Sequence, residues 1–219
     1  MFETVNVVGR GRVGSAVAAR LHERGVTLRQ DHADLILLCV PDSAIQDVAA
    51  RFEIGPWIAH VSGATPLGSL GPHARRFSVH PLQTFTRDRG AEQLDGAWAA
   101  VTADSDEGRQ RAFWLAQLLG LFPFDLRDEA RSLYHAGAVI ASNYLVTLHR
   151  AAARLLESAG APSEALVPLM SRVISNGFQL TGPIARGDRT TVDAHLKALH
   201  AHAPDLEAMY RALADVTGR

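Results

Sequence analysis

The chain has 219 residues, 47% of them apolar, and a formal net charge of −1. That is enough chain for one or two domains with a sizeable core, and the near-zero charge removes any electrostatic basis for binding nucleic acid or an anionic membrane. Nearly all the cations are arginine, and with Lys197 as the only lysine, most catalytic roles for lysine are excluded.

Val5-Asn6-Val7-Val8 reads as a short buried strand. Gly9-Arg10-Gly11-Arg12-Val13-Gly14 follows and opens a helix with Val13, Val17 and Leu21 on one face. This is G-x-G-x-x-G between strand and helix. The first glycine permits the tight turn, the second lets backbone approach a pyrophosphate, and the third lets the helix pack on the strand. Phosphates are expected over the helix N-terminus, where free N–H groups favour negative charge. Val26-Thr27-Leu28 comes next, followed almost at once by an apolar strand over 34–40. The five residues 29–33 are too few for a crossover between parallel strands, which takes roughly a dozen. Either the second strand is vestigial, or the first helix leads directly into the next core strand. Both options remove much of the usual adenosine pocket. Arg10, Arg12 and Arg29 remain as partners for a ribose 2′-phosphate or as solvated surface charges, which favours NADP over NAD.

Val40-Pro41-Asp42 ends that strand, and 43–52 has helical spacing through Ile45, Val48 and Phe52. Strands are expected over 57–62, 76–80, 98–102 and 121–126, with an amphipathic helix over 106–119. This alternation predicts an α/β protein with a doubly wound, mostly parallel sheet. From 127 the character changes. One long helix is expected over 130–159, with Leu133, Ile140, Tyr144, Leu148 and Leu155 at helical spacing. Gly160-Ala161-Pro162 stops it, Ser163 is placed to cap a helix over 164–176, and 181–188 reads as a loop. Further helices are expected over 191–200 and 205–217. The expected domains are a Rossmann-like dinucleotide-binding domain, 1–126, and a helical dimerisation or substrate domain, 127–219. The single Cys39, inside an apolar run, rules out a disulfide framework and is expected to be a protonated, inert thiol. No apolar run approaches the length of a membrane span, and no basic-then-apolar leader opens the sequence, so a cytoplasmic location is expected.

A sheet domain followed by a helical one resembles the 6-phosphogluconate-dehydrogenase-like superfamily of two-domain NAD(P) oxidoreductases. Within it, the chain most resembles a bacterial family that joins a Rossmann-like domain to a C-terminal domain of unknown function. The likeness is carried by the glycine motif, Val40-Pro41-Asp42-Ser43-Ala44-Ile45 and His80-Pro81-Leu82-Gln83-Thr84-Phe85. It continues through Tyr134-His135, Ser142-Asn143-Tyr144 and Thr181-Gly182-Pro183-Ile184-Ala185-Arg186-Gly187-Asp188. In layout the family looks like ketopantoate reductases and pyrroline-carboxylate reductases. The resemblance implies a nicotinamide cofactor and a homodimer through the C-terminal helices. The shortened second strand departs from the superfamily pattern at the cofactor site.

Reducing a carbonyl with a nicotinamide hydride needs a proton donor and groups that orient the carbonyl. Gly9, Arg10, Gly11, Arg12, Val13 and Gly14, with Val40, Pro41 and Asp42 at the next strand's carboxyl end, are the expected cofactor contacts. His80 precedes Pro81, which holds its backbone extended, and prephenate-dehydrogenase-like enzymes have a similar His-Pro pair whose histidine contacts substrate. His135, Val139 and Asn143 are spaced four apart on the long helix, and Ser142 and Asn143 interrupt an apolar stretch. Resemblance to the superfamily's hydroxyacid dehydrogenases places a catalytic lysine one turn before this asparagine. Val139 and Ile140 stand there instead, so a histidine is the natural substitute. His80, His135 and Asn143 are therefore the catalytic candidates. Thr181, Arg186 and Asp188 form a loop that either closes on a substrate carboxylate, with Arg186 as bidentate partner, or holds an internal ion pair. His195, His200 and His202 show no metal-ligand grouping, so no metal is expected. Two functions stay open: an NADP-dependent (or NAD-dependent) reductase of a small oxo-acid or imine, or a dehydrogenase-like scaffold that has lost its cofactor and binds a metabolite or protein.

Overall fold

A computed structural model describes residues 1–218. The chain divides into two compact units, Met1–Ile140 and the residues from Ala141 onward. Each is described by itself.

The first unit runs β1 (Thr4–Val8), α1 (Arg12–Glu23), β2 (Thr27–Leu28), β3 (Leu35–Leu38), α2 (Ile45–Ala49), β4 (Trp57–His60), β5 (Arg76–Leu82), β6 (Trp98–Ala103), α3 (Asp106–Leu118), β7 (Phe122–Asp125) and α4 (Arg131–Val139). The seven strands form one sheet in the order β2-β1-β3-β4-β5-β6-β7. All neighbouring pairs are parallel except β5 with β6. Every residue of β3 and β4 is buried, as expected of central strands covered on both faces. Alternate side chains go to opposite layers. Val5, Leu35, Leu37, Trp57, Ala59, Phe77 and Val79 pack with α1 and α3. Ile36, Leu38 and Ile58 pack with Ile45 and Ala49 of α2 and with Leu67 and Leu70 of a short 3-10 turn.

The second strand is vestigial. Only Thr27 and Leu28 pair with β1, opposite Thr4 and Val5. Because β2 stops at the level of Val5, it ends where β3 begins, since Leu35 also pairs with Val5. The short link therefore does not have to run back along the strands, only past the start of β1. It is tied down by Asn6 Nδ2 donating to the Gln30 carbonyl (2.7 Å) and by the Asp34 carboxylate accepting from the backbone N–H of Glu3 and Thr4 (both 2.9 Å). Arg20, buried on α1, reaches across to Asp95 (2.6 Å) and the carbonyls of Ala91 and Leu119, anchoring the helix to the segment that precedes β6.

Several expected elements are shorter than the pattern implies. The helix expected over 43–52 is a 3-10 turn, Asp42–Ala44, and then the single turn of α2. The long helical run does extend from Arg131 to Ser158, but Ile140–Tyr144 is a π-turn, so one 3.6-residue period does not hold from His135 to Asn143.

The second unit consists of α5 (Leu145–Ser158), α6 (Leu166–Ser175), α7 (Arg189–His202) and α8 (Pro204–Thr217). Ser163 does not cap α6; it opens a 3-10 turn, Ser163–Ala165, without a side-chain cap. Asp188 caps α7, its carboxylate accepting from Thr191 N (3.1 Å) and Thr191 Oγ1 (2.6 Å). Pro204 occupies the first turn of α8, where its missing N–H costs nothing. Arg154 joins α5 to Asp205 of α8 at 2.7 Å, and His195 joins α7 to Tyr210 of α8 at 2.8 Å. Among the described residues no helix is long and apolar enough to cross a membrane.

Candidate functional site

In a parallel sheet, ligands gather at the carboxyl ends of the strands where the chain order reverses. Here that point lies between β1 and β3, flanked by the glycine turn and by Val40-Pro41-Asp42. The three glycines are not equivalent. Gly9 has φ +109°, and a Cβ there would overlap the Cys39 carbonyl; one on Gly14 would overlap the Gly9 carbonyl oxygen. Those two are demanded by the turn and by the packing of α1. Gly11, the N-cap of α1, has an ordinary φ of −73° and nothing within 4 Å of its added Cβ. The protein itself does not require glycine there; an approaching ligand would. No side chain caps α1 and its first turn holds no acidic residue, so its leading N–H groups face outward as a ready anion site. Arg10 and Arg12 are exposed in the turn, and Arg29 is exposed immediately after β2.

Further along the same edge, the ends of β4 and β5 and the start of α4 bring together residues widely separated in sequence. His80 Nδ1 and Tyr134 Oη are hydrogen-bonded at 2.7 Å. His80 also lies edge-on to Tyr134 and to His135, with ring centroids 5.5 and 6.2 Å apart. The rings approach so closely because residue 63 is glycine. A Cβ there would stand 2.8 Å from His80 Cε1 and 2.9 Å from His135 Cδ2. Pro81 is tolerated in a central strand because β4 pairs with β5 only as far as Ser78, leaving no partner for the missing N–H.

The electrostatics of this cluster keep His80 and Tyr134 neutral. Burial, then His135 and Arg131, push His80 down to about 4, with Asp42 pulling the other way. Burial raises the Tyr134 phenol to about 12. His60, fully buried at the end of β4, is pushed down to about 3 by burial and by Arg131. Its Nδ1 accepts from Ser62 N–H (3.2 Å), which puts the ring proton on Nε2, an atom with no hydrogen-bond partner among the described residues. Burial likewise raises the Cys39 thiol to about 12, so it stays protonated.

Of the sequence candidates, His80 and His135 come together, with Asp42 near enough to act on His80. Asn143 lies in the second unit, on the π-turn, with Ser142 Oγ donating to its side-chain oxygen (3.3 Å). Thr181 and Arg186 are exposed in the loop before α7, and the Asp188 carboxylate is engaged by Thr191. Sequence reasoning missed Tyr134 as a partner of His80, and it missed Gly63, His60, Arg131 and Asp128. Among the described residues no three histidine, cysteine or acidic side chains are placed to hold a metal ion.

Residues 97–217, more than half the chain, match the family described as Domain of unknown function (DUF2520). The chain belongs to this family. No curated protein is similar enough in sequence to match. Among solved structures, a Bacteroides fragilis protein assigned as an NADP oxidoreductase superposes with a TM-score of 0.82 at 20% identity, over 99% of this chain and 98% of that one. A Thermotoga maritima protein gives 0.75 at 23% identity, over 98% and 89%. The 1-pyrroline-5-carboxylate reductase of Streptococcus pyogenes gives 0.64 at 17% identity, over 98% and 96%. At these identities the likeness establishes a shared fold for this DUF2520 member: a Rossmann-like sheet followed by helices.

Proposed function

We propose that this DUF2520 protein is a nicotinamide-dependent oxidoreductase that reduces a small oxo-acid or imine, in the manner of ketopantoate or pyrroline-carboxylate reductases. The observation that carries this reading is the shared edge: a glycine turn open at Gly11 and a desolvated His80–Tyr134–His135 cluster both lie at strand carboxyl ends. The bound nicotinamide supplies the hydride. The N–H groups at the start of α1 hold the pyrophosphate, and Gly11 lets it approach. Exposed Arg10 and Arg29 favour a 2′-phosphate, hence NADP over NAD. Tyr134 keeps its proton and donates it to His80 Nδ1, so His80 presents Nε2–H to the substrate oxygen. A neutral imidazole of this kind polarises a carbonyl without competing for its proton. His135, half-buried beside it, delivers the proton that the developing alkoxide or amine takes up.

The test separates binding from folding. Asp is a better helix N-cap than Gly, so Gly11→Asp should leave the melting temperature unchanged or slightly raised. Its carboxylate would oppose the pyrophosphate. Fluorescence titration with NADPH and NADH should show saturable micromolar binding by the wild type, weakened at least 100-fold in Gly11→Asp. The vestigial β2 favours the second reading, a scaffold that has given up its cofactor. Failure of the wild type to bind either nucleotide up to millimolar concentration would sink the reductase and leave that one standing. If binding holds, oxo-acids such as ketopantoate are the substrates to screen, with His80→Ala and His135→Ala both inactive.

The helical unit favours a homodimer. Few of its apolar side chains are buried (Leu166, Leu199 and Ala203 are), while Leu169, Ile174 and Phe178 are 60%, 55% and 72% exposed. A second copy of this near-neutral chain is the proposed cover for so large an apolar face. Sedimentation equilibrium should give twice the chain's mass, and Leu169→Glu with Ile174→Glu should give a monomer. A monomeric wild type would refute the dimer.

A further inference from the structure

Among the described residues the largest fully buried side chain is a cation, Arg131. Removing a guanidinium from water costs several kcal/mol unless its hydrogen bonds are replaced, and an apolar residue of similar size usually serves stability as well. Its partners show where this one is used. Nε donates to Asp128 Oδ1 (2.7 Å), Nη1 to the Ser62 carbonyl (3.1 Å), and Nη2 to Ser78 Oγ. Two of these partners lie close in the chain to groups of the His80 cluster. Ser62 precedes Gly63, the residue against which both imidazoles rest. Ser78 is two residues before His80 on the same face of β5. Arg131 itself stands one turn before Tyr134 and His135 on α4. Both oxygens of Asp128 also accept from Leu67 N–H (2.9 and 3.1 Å), pinning the far end of the loop that carries Gly63.

We propose that Arg131 is the positioning residue of the site: its three-way fork locks the Gly63 loop, β5 and α4 together and so holds His80, Tyr134 and His135 in register. This rests on the reading of the cluster as the catalytic site. Arg131 touches no reacting atom and acts through the groups it aligns. The guanidinium also sits close enough to disfavour a charge on His80 and His60, so the lock that sets the geometry also helps to keep those two imidazoles neutral.

The test is Arg131→Lys, which keeps the charge and loses the fork, in the full-length protein. Histidine ring resonances are followed by NMR against pH, with His195 of the second unit as the control that should not move. The groups acting on His80 are Arg131, Tyr134 and His135 from α4, Asp42 from the turn after β3, and His60 from β4. With the charge retained, a change in the His80 midpoint reports lost alignment and entry of water. The expected result is an upward shift of one unit or more, with NADPH affinity within threefold of wild type. A folded Arg131→Lys whose His80 midpoint stays within 0.3 unit of wild type would overturn the proposal. If that variant does not fold, Ser78→Ala removes one prong only and should move His80 the same way by a smaller amount; no movement there is equally fatal. Because the resonance needs no substrate or nucleotide, failure of this test is distinguishable from failure of the reductase reading.

Discussion

Taking the protein from pH 7 to pH 5 is expected to remove about 4 kcal/mol of its folding stability, through two histidines alone. His60 and His80 are held at about 3 and about 4 in the folded chain, against 6.5 for a free imidazole. Below pH 6.5 the unfolded chain takes up a proton at each ring that the folded chain refuses. Unfolding is therefore favoured increasingly as the pH falls, until the folded-state values are reached. At pH 5 each histidine contributes about 2 kcal/mol to that loss. Carboxylates whose affinity for protons is lowered by folding, such as Asp34 and Asp95, act only below about pH 4, so the window from 6.5 to 5 isolates the imidazoles. Urea unfolding at pH 7 and pH 5 measures this directly. His60→Gln should halve the difference, and a wild type equally stable at both values would show that the two rings are not desolvated.

The second large effect separates two glycines three residues apart. Gly14→Ala is expected to destabilise the protein by about 3 kcal/mol, because the new methyl overlaps the Gly9 carbonyl and meets Cys39 Cβ at 3.1 Å. Relief requires α1 to lift from the β1–β3 edge. For a chain of this size that corresponds to a fall in Tm of roughly 6–12 °C. Gly11→Ala should fall by only about 1–4 °C, since its methyl meets open space and the cost is that of a poorer helix N-cap, about 0.5–1 kcal/mol. Equal Tm values for the two variants would remove the distinction between the structural and the ligand-facing glycines.

The glycine motif and the core strands were legible because their signals are local: spacing, burial and turn chemistry. The direction of β6 was not. Strand composition carries no direction, although the residues between β5 and β6 hold only a 3-10 turn, Ala91–Leu94, and no crossover helix, which is what an antiparallel neighbour needs. A two-residue β2 has no periodicity to read, so the sequence left its existence open. His80 was found through the His-Pro pair at a strand end and His135 through its place on a helix. Arg131 reads in sequence as an ordinary surface charge in a first helical turn. Only tertiary structure shows it buried, although the Asp128-x-x-Arg131 spacing was a usable hint of a local pair. Gly63 was invisible for the same reason: its role is set by two rings arriving from β5 and α4. The π-turn has no proline or glycine to announce it, only Ser142 and Asn143.

The two ends of the sheet have a consequence for self-association. At one margin β2 offers backbone donors and acceptors over just two residues, too few to template an added strand. At the other, β7 carries Pro123 in its middle and closes with Asp125 clamped by Arg109 at 2.6 Å. Short length, proline and charge are the devices that stop sheets from growing edge to edge. Neither margin invites a further strand, so this protein is poorly suited to fibril-like stacking of sheets.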